Sequence, residues 1–166
     1  GVEPQTETVW RQADRHRVPR VCFINKMDRT GADFFFVLGT IRERLGCRTA
    51  VVQLPIGAEA AFVGIVDLVE MKALVWQGED LGASWDEVDI PDNLAGLVEQ
   101  YRAELIDVLA EFDEVILEKF VGEEEITAAD LRAALRHGTL EGLCVPVLTG
   151  SAFKNKGVQE VLDAVV

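Results

Sequence analysis

Asn25, Lys26 and Asp28 stand together in a four-residue corner, Asn-Lys-Met-Asp, that ends an apolar run over residues 21–24. The three side-chain types are matched to one ligand edge, that of guanine. An aspartate carboxylate can accept two parallel hydrogen bonds, one from a ring N–H and one from an exocyclic amine. Adenine presents the reverse pattern and would leave Asp28 desolvated and unpaired, at a cost of about 1–3 kcal/mol or more for a charged group. Sites that read polar groups in this way reject analogues better than apolar pockets do. Asn25 offers an amide that can reach the base and also tie neighbouring loops together. Lys26 has an alkyl stem that can lie over a base plane while its charge stays solvated.

The elements around the corner suit that role. Residues 21–24 are apolar and rich in β-branched and aromatic side chains, as in a parallel strand covered on both faces. Open α/β sheets bind ligands beyond the carboxyl ends of their strands, where residues 25–28 would fall. A plain strand-ending turn is the alternative, because Asn and Asp favour turns and Gly31 follows closely.

A second strand exit has the same form. Residues 145–149 read as a buried strand, followed by Gly150-Ser151-Ala152-Phe153 and then a helical pattern with Val158, Val161, Leu162 and Val165. Ser151 can brace the loop through its hydroxyl, and the Ala152 N–H can donate to a ligand carbonyl. Small residues here allow close backbone approach. Lys154 and Lys156 are either partner contacts or solvated loop charges.

Three stretches carry a family resemblance: GVEPQTETVW at 1–10, FINKMDRTG at 23–31 and GSAFKNKG at 150–157. Together they make the chain resemble the elongation factor G family of translational GTPases along essentially its whole length. Release factor three and the tetracycline ribosomal protection proteins share the Asn-Lys-x-Asp loop but match the flanking residues less well. The resemblance implies that Asn25, Lys26 and Asp28 form the fourth guanine-nucleotide motif, and Ser151, Ala152 and Phe153 the fifth. It implies GTP or GDP as ligand, with Mg²⁺ in the intact protein.

No Gly-x-x-x-x-Gly-Lys-[Ser/Thr] motif is present, so no phosphate-cradling loop or magnesium-binding hydroxyl can be assigned. Neither His16 nor His137 matches the family's water-positioning histidine. The expectation is therefore an excised piece, the second half of a GTPase domain. It would carry the guanine-binding loops with no catalytic residue and no metal ligand, and would be inactive in hydrolysis by itself.

Length and an apolar content of 49% allow a sizeable core. No run approaches the ~18 residues of a membrane helix, and no targeting segment is visible. Cys22, Cys47 and Cys144 lack metal-ligand spacing and read as small apolar fillers in a reducing compartment. The resemblance implies a bacterial cytoplasm or an organellar matrix or stroma.

Charge is unevenly spread. Residues 1–48 carry nine Lys/Arg against six Asp/Glu, residues 49–144 five against twenty-one, and residues 145–166 two of each, within a net charge of −13. This break marks residues 46–144 as an acidic insertion between the two parts, 1–45 and 145–166, of a nucleotide-binding half-domain. Its charge disfavours direct nucleic-acid binding by the insert. A basic or mixed protein surface is one reading of the acidic face, and simple solvation the other.

The fold class expected is α/β: the C-terminal half of a P-loop-NTPase-like parallel sheet with an inserted α+β subdomain containing a small antiparallel sheet and two helices. Helices are expected over 3–15 and 33–45, with Gly46 stopping the second. Strands are expected over 50–54, 62–68 and 72–76, with a short one at 88–90 after an acidic loop from residue 78. A single long helix should start at Asp92 and end at Gly122. Its apolar stripe runs from Leu94 through Leu97, Val98, Tyr101, Leu105, Val108, Leu109 and Phe112 to Ile116, and core packing is its ordinary explanation. Thr127 and Asp130 form a capping box for a shorter helix finishing at Gly138. Trp10, Trp76 and Trp85 read as packing residues.

By resemblance, the intact factor drives ribosomal translocation and the insert contacts the ribosomal stalk protein, with residues 99–118 the place to look. Two functional readings follow: the base-recognising portion of a translational GTPase, or a non-catalytic interaction module whose acidic insert binds the stalk protein. The 21–24 edge is also expected to support self-association.

Overall fold

Residues 21–24 hold no polar side chain, so their backbone N–H and C=O groups are best satisfied in a sheet. The computed structural model describes residues 1–77 and 84–166, and of that run it places Cys22–Ile24 in a sheet. In chain order the elements are α1 (Pro4–Arg15), β1 (Cys22–Ile24), α2 (Phe34–Leu45), β2 (Thr49–Val51), β3 (Gln53–Ile56), β4 (Gly64–Asp67), β5 (Lys72–Trp76) and β6 (Trp85–Val88). There follow α3 (Ala95–Ala110), α4 (Glu114–Val121), α5 (Ala128–Leu140), β7 (Val145–Thr149) and α6 (Val158–Val165). Short 3-10 turns occupy Glu59–Ala61, Asp92–Leu94 and Ala152–Lys154.

Two sheets result. The first is parallel, in the order β1-β7-β2, with β7 buried along its whole length at the centre. Its register sets Ile24 opposite Thr149, so the two strands feeding the chemistry-bearing loops end level with one another. The second is an antiparallel meander, β3-β4-β5-β6. Helix α2 lies against β1, α3 against β2 and α5 against β7. One continuous apolar core, from Val2 to Leu148, joins both sheets and helices α2 to α5, with Val161 of α6 packed against it. The α/β class, with a parallel sheet and a separate antiparallel one, is therefore as expected.

Local chemistry sets the helix ends. Pro4 opens α1, where its missing N–H costs nothing, and Glu3 forms a capping box with Thr6. Asp33 caps α2 by accepting the Phe36 N–H at 2.9 Å, and Gly46 closes it with φ +60°. Thr127 and Asp130 form the expected capping box at the start of α5.

Several elements depart from the sequence expectation. The 50–54 run divides between two sheets: Thr49–Val51 pair with β7, while Gln53 turns to face Asp67 in β4. The run over 62–68 gives a strand only from Gly64, because Phe62 closes the preceding 3-10 turn. The strand expected at 88–90 lies at Trp85–Val88, in a register that sets Trp85 opposite Trp76. Trp85 remains 38% exposed there, so it is an edge residue, not a core one, whereas Trp76 is buried against Phe62. The loop expected from residue 78 falls partly outside the described residues.

The single helix expected over 92–122 is a 3-10 turn and two helices, giving the insert three α-helices in place of two among the described residues. Asp113 accepts the Ile116 N–H at 3.0 Å and starts α4 afresh. An aspartate that caps cannot also continue a helix, and this residue decides the break. The stripe still packs as read, with Val98, Tyr101, Leu105, Leu109 and Ile116 buried. Helix α5 continues past Gly138 to Leu140 because the glycine serves packing there. A Cβ at Gly138 would lie 2.5 Å from the Phe112 ring and 2.9 Å from Cys144 Sγ.

Candidate guanine-recognition site

Strand β1 ends at Ile24 and strand β7 at Thr149, and short polar bonds lock these ends together. The Thr149 hydroxyl donates to the Ile24 carbonyl at 3.0 Å, and the Gly150 N–H donates to the same oxygen at 3.1 Å. Met27 is buried and its N–H donates to the Gly150 carbonyl at 3.1 Å. The two loops read separately from the sequence are thus neighbours beyond the carboxyl edge of one parallel sheet, where such sheets bind ligands.

Asn25 joins the loops through its side chain. Its Oδ1 accepts the Lys26 N–H at 2.7 Å and the Ala152 N–H at 2.9 Å. The first bond bends the chain, and Lys26 takes φ +65°, a left-handed backbone uncommon outside glycine. The second bond corrects one expectation. The Ala152 N–H, read as a donor to a ligand carbonyl, is held by Asn25, so a base would have to share it. With Oδ1 committed twice, Nδ2 is the half of the Asn25 amide left for a base acceptor.

Asp28 accepts the Ser151 hydroxyl at 2.5 Å on Oδ1, and Lys154 Nζ stands 3.9 Å from Oδ2. The Ser151 bond is the main reason its carboxyl is held below the ordinary carboxylate range, and desolvation opposes it only in part. The carboxylate is therefore ionised and oriented, and it keeps 12% side-chain exposure, enough to be met by a ligand. Ser151 itself is fully buried, a bracing group as its sequence context suggested. Lys154 is exposed, and a surface pair of this length contributes at most about 1 kcal/mol.

The loop after β7 is tied to itself. Ser151 and Lys156 exchange two backbone hydrogen bonds, each 2.9 Å, while Asn155 adopts φ +54°. Gly150 is required by crowding, since a Cβ there would lie 2.3 Å from the Lys156 carbonyl oxygen. Lys156 is no free loop charge: its ammonium lies 6.0 Å from the centre of the Phe62 ring, and burial is the first cause of its lowered pKa. Phe153 is 84% exposed and Lys26 is also exposed, so solvent reaches the side chains of both.

Three residues that no local pattern singles out also build the site. Gln53 is buried, and its Oε1 accepts the Thr149 N–H at 3.1 Å. Thr149 is buried and closes the strand ends. Glu59 donates its N–H to the Met27 carbonyl at 2.8 Å and accepts the Gly31 N–H on Oε1 at 2.6 Å. These partners lie far apart in sequence, and only the fold brings them together. Among the described residues, no group of three or more His, Cys, Asp or Glu side chains could hold a metal ion. No helix among them is long and apolar enough to cross a membrane.

Comparison with known proteins gives the family. The chain is 56% identical over 166 residues to elongation factor G of Orientia tsutsugamushi strain Boryong, and 55% identical to that of strain Ikeda. In each case the match covers 100% of this chain and 24% of the relative, so the chain spans about a quarter of the length of those proteins. Among solved structures, the crystal structure of ttk003000868 from Thermus thermophilus superposes with a TM-score of 0.85 at 29% identity, over 99% of this chain and 24% of the other. The profile of the Elongation factor Tu GTP binding domain matches residues 1–166. The chain belongs to this family of GTP-binding domains, with elongation factor G among its relatives.

Proposed function

We propose that this chain is the base-reading portion of the GTP-binding domain of a translational GTPase of the elongation factor G type. The observation that carries this reading is the oriented, ionised Asp28, set between Asn25 and Ser151 where two parallel strands end. Asp28 takes the ring N–H and exocyclic amine of guanine, Asn25 Nδ2 meets a ring acceptor, and the Lys26 stem and Phe153 lie beside the base. The bound species is GTP or GDP, held here by the base alone. Phosphate and magnesium contacts belong to segments with motifs this sequence lacks, so the chain by itself binds weakly and does not hydrolyse GTP. The parent activity is GTP-driven translocation on the ribosome, in a cytoplasmic or organellar setting.

The test is a titration of the ¹⁵N-labelled chain with GDP and, separately, ADP. GDP should shift the amides of Asn25, Asp28 and Ala152, ADP should not, and Asp28→Ala should abolish the response. Equal responses to both nucleotides would contradict the reading.

A second reading concerns the insert. We divide the chain into 1–45 with 145–166, and an acidic 46–144. The pairing of Thr49–Val51 with β7 supports moving the start of the insert a few residues later. Helices α3 and α4 expose Glu99, Asp107, Glu114 and Glu118 on a segment rich in acids, which favours a basic protein partner over nucleic acid. We assign this face to the ribosomal stalk protein. Stalk binding that survives Asp28→Ala, with shifts confined to residues 92–138, is the expected result. No change in those signals would refute it.

A further inference from the structure

Glu59 is an exposed residue in a loop after β3, and a glycine or asparagine would suit its backbone better. Its φ is +56°, in the left-handed region that L side chains rarely adopt. The turn around it is tight: a Cβ at Gly57, two residues earlier, would sit 2.0 Å from the Ala61 carbonyl oxygen. A long acidic side chain kept at such a position calls for a role, and its contacts supply one. The Glu59 N–H binds the Met27 carbonyl at 2.8 Å and its carboxylate binds the Gly31 N–H at 2.6 Å.

These bonds bracket Asp28. The peptide group between Met27 and Asp28 is held at its carbonyl by Glu59, and the one before Met27 is held at its N–H by the Gly150 carbonyl at 3.1 Å. On the far side, the Gly31 amide, itself at φ +82°, is tied to the same glutamate. Beside the side-chain bonds of Asn25 to Ala152 and of Asp28 to Ser151, the corner thus has three further anchors, two of which come from a single residue outside both base loops. Bonds to an ionised carboxylate are about twice as strong as neutral ones.

We propose that Glu59 is a positioning residue for guanine recognition: it holds the loop over residues 27–31 in the shape that presents the Asp28 carboxylate to the base. This rests on the base-reading function proposed above. It also links the antiparallel sheet to the nucleotide site, because Glu59 opens the 3-10 turn in the connection between β3 and β4.

The test uses three variants of the full chain. Glu59→Gly and Glu59→Ala remove the carboxylate, and the glycine also relieves the left-handed strain, so its fold is at no disadvantage. Glu59→Gln keeps an acceptor at Oε1. Two quantities are read: the Gly31 amide proton position in the ¹⁵N–¹H spectrum, and the GDP dissociation constant. Glu59→Gly and Glu59→Ala should move the Gly31 proton upfield and weaken GDP binding by about fivefold to tenfold. Glu59→Gln should restore binding to within about twofold of the wild type. GDP binding unchanged in Glu59→Gly, whether or not the Gly31 signal moves, would overturn the proposal. So would a Gln variant as weak as the Ala variant. If Asp28→Ala binds GDP like the wild type, the base reading itself falls and this proposal with it. If Asp28→Ala loses binding while Glu59→Gly does not, only the role of Glu59 falls.

Discussion

Ser151 donates a hydrogen bond to Asp28, and the protonation of that carboxyl can be followed directly. The Ser151 hydroxyl is the first cause of the lowered Asp28 pKa, so Ser151→Ala should raise that pKa towards the ordinary value of 3.8. A group depressed in the folded state contributes stability that is present above its unfolded value and lost as pH falls through its folded value. Acid unfolding of Ser151→Ala should therefore begin at a higher pH than that of the wild type, and Asp28 carboxyl shifts in an NMR titration will show it. The residues of this site divide by how they could be found. Asn25, Asp28 and Ser151 were legible because each is a polar residue breaking an apolar run. Gln53 and Glu59 were not, because their side chains act on amides 96 and 28 positions away and follow no local period.

At the scale of elements, helix ends were legible where one residue both caps and terminates. Asp33, Gly46 and Thr127 are such residues. Asp113 escaped notice because the apolar stripe runs through it without a change of phase, and a stripe reports packing, not continuity. Gly138 misled for the opposite reason: a glycine that usually ends a helix here makes room for Phe112. Gly138→Ala should gain ~1 kcal/mol of helix propensity but lose more to crowding against Phe112 and Cys144, for a net destabilisation of about 1–2 kcal/mol. Urea denaturation of the two proteins will measure it. At the start of α5 the Lys119 ammonium donates to Asp130 at 2.6 Å and, with the Thr127 cap, holds its pKa down to about 2. That contribution is complete above the ordinary carboxylate value and is lost as pH falls towards 2. Lys119→Met should raise the Asp130 pKa in a carboxyl-shift titration; an unchanged value would contradict the assignment.

The whole molecule joins a parallel sheet, with the loops over 25–28 and 150–153 at its carboxyl edge, to an acidic, helix-rich segment, with one core running through both. The charge break made two parts visible in the sequence but could not locate their seam, because Thr49–Val51 is uncharged whichever sheet it joins. Among the described residues, strand β1 pairs on one side only, with β7, and we propose that its free edge supports self-association. Sedimentation should show mass rising with concentration, and a constant monomeric mass would remove this proposal. The base-reading claim is tested most directly by exchanging the hydrogen-bond pattern on both sides of the contact. Xanthine keeps the ring N–H of guanine but carries a carbonyl in place of the amine, and Asp28→Asn replaces one acceptor with a donor. The wild-type chain should bind guanosine diphosphate in preference to xanthosine diphosphate, and Asp28→Asn should invert that order. An unchanged preference in the variant would contradict the assignment of Asp28 to the base.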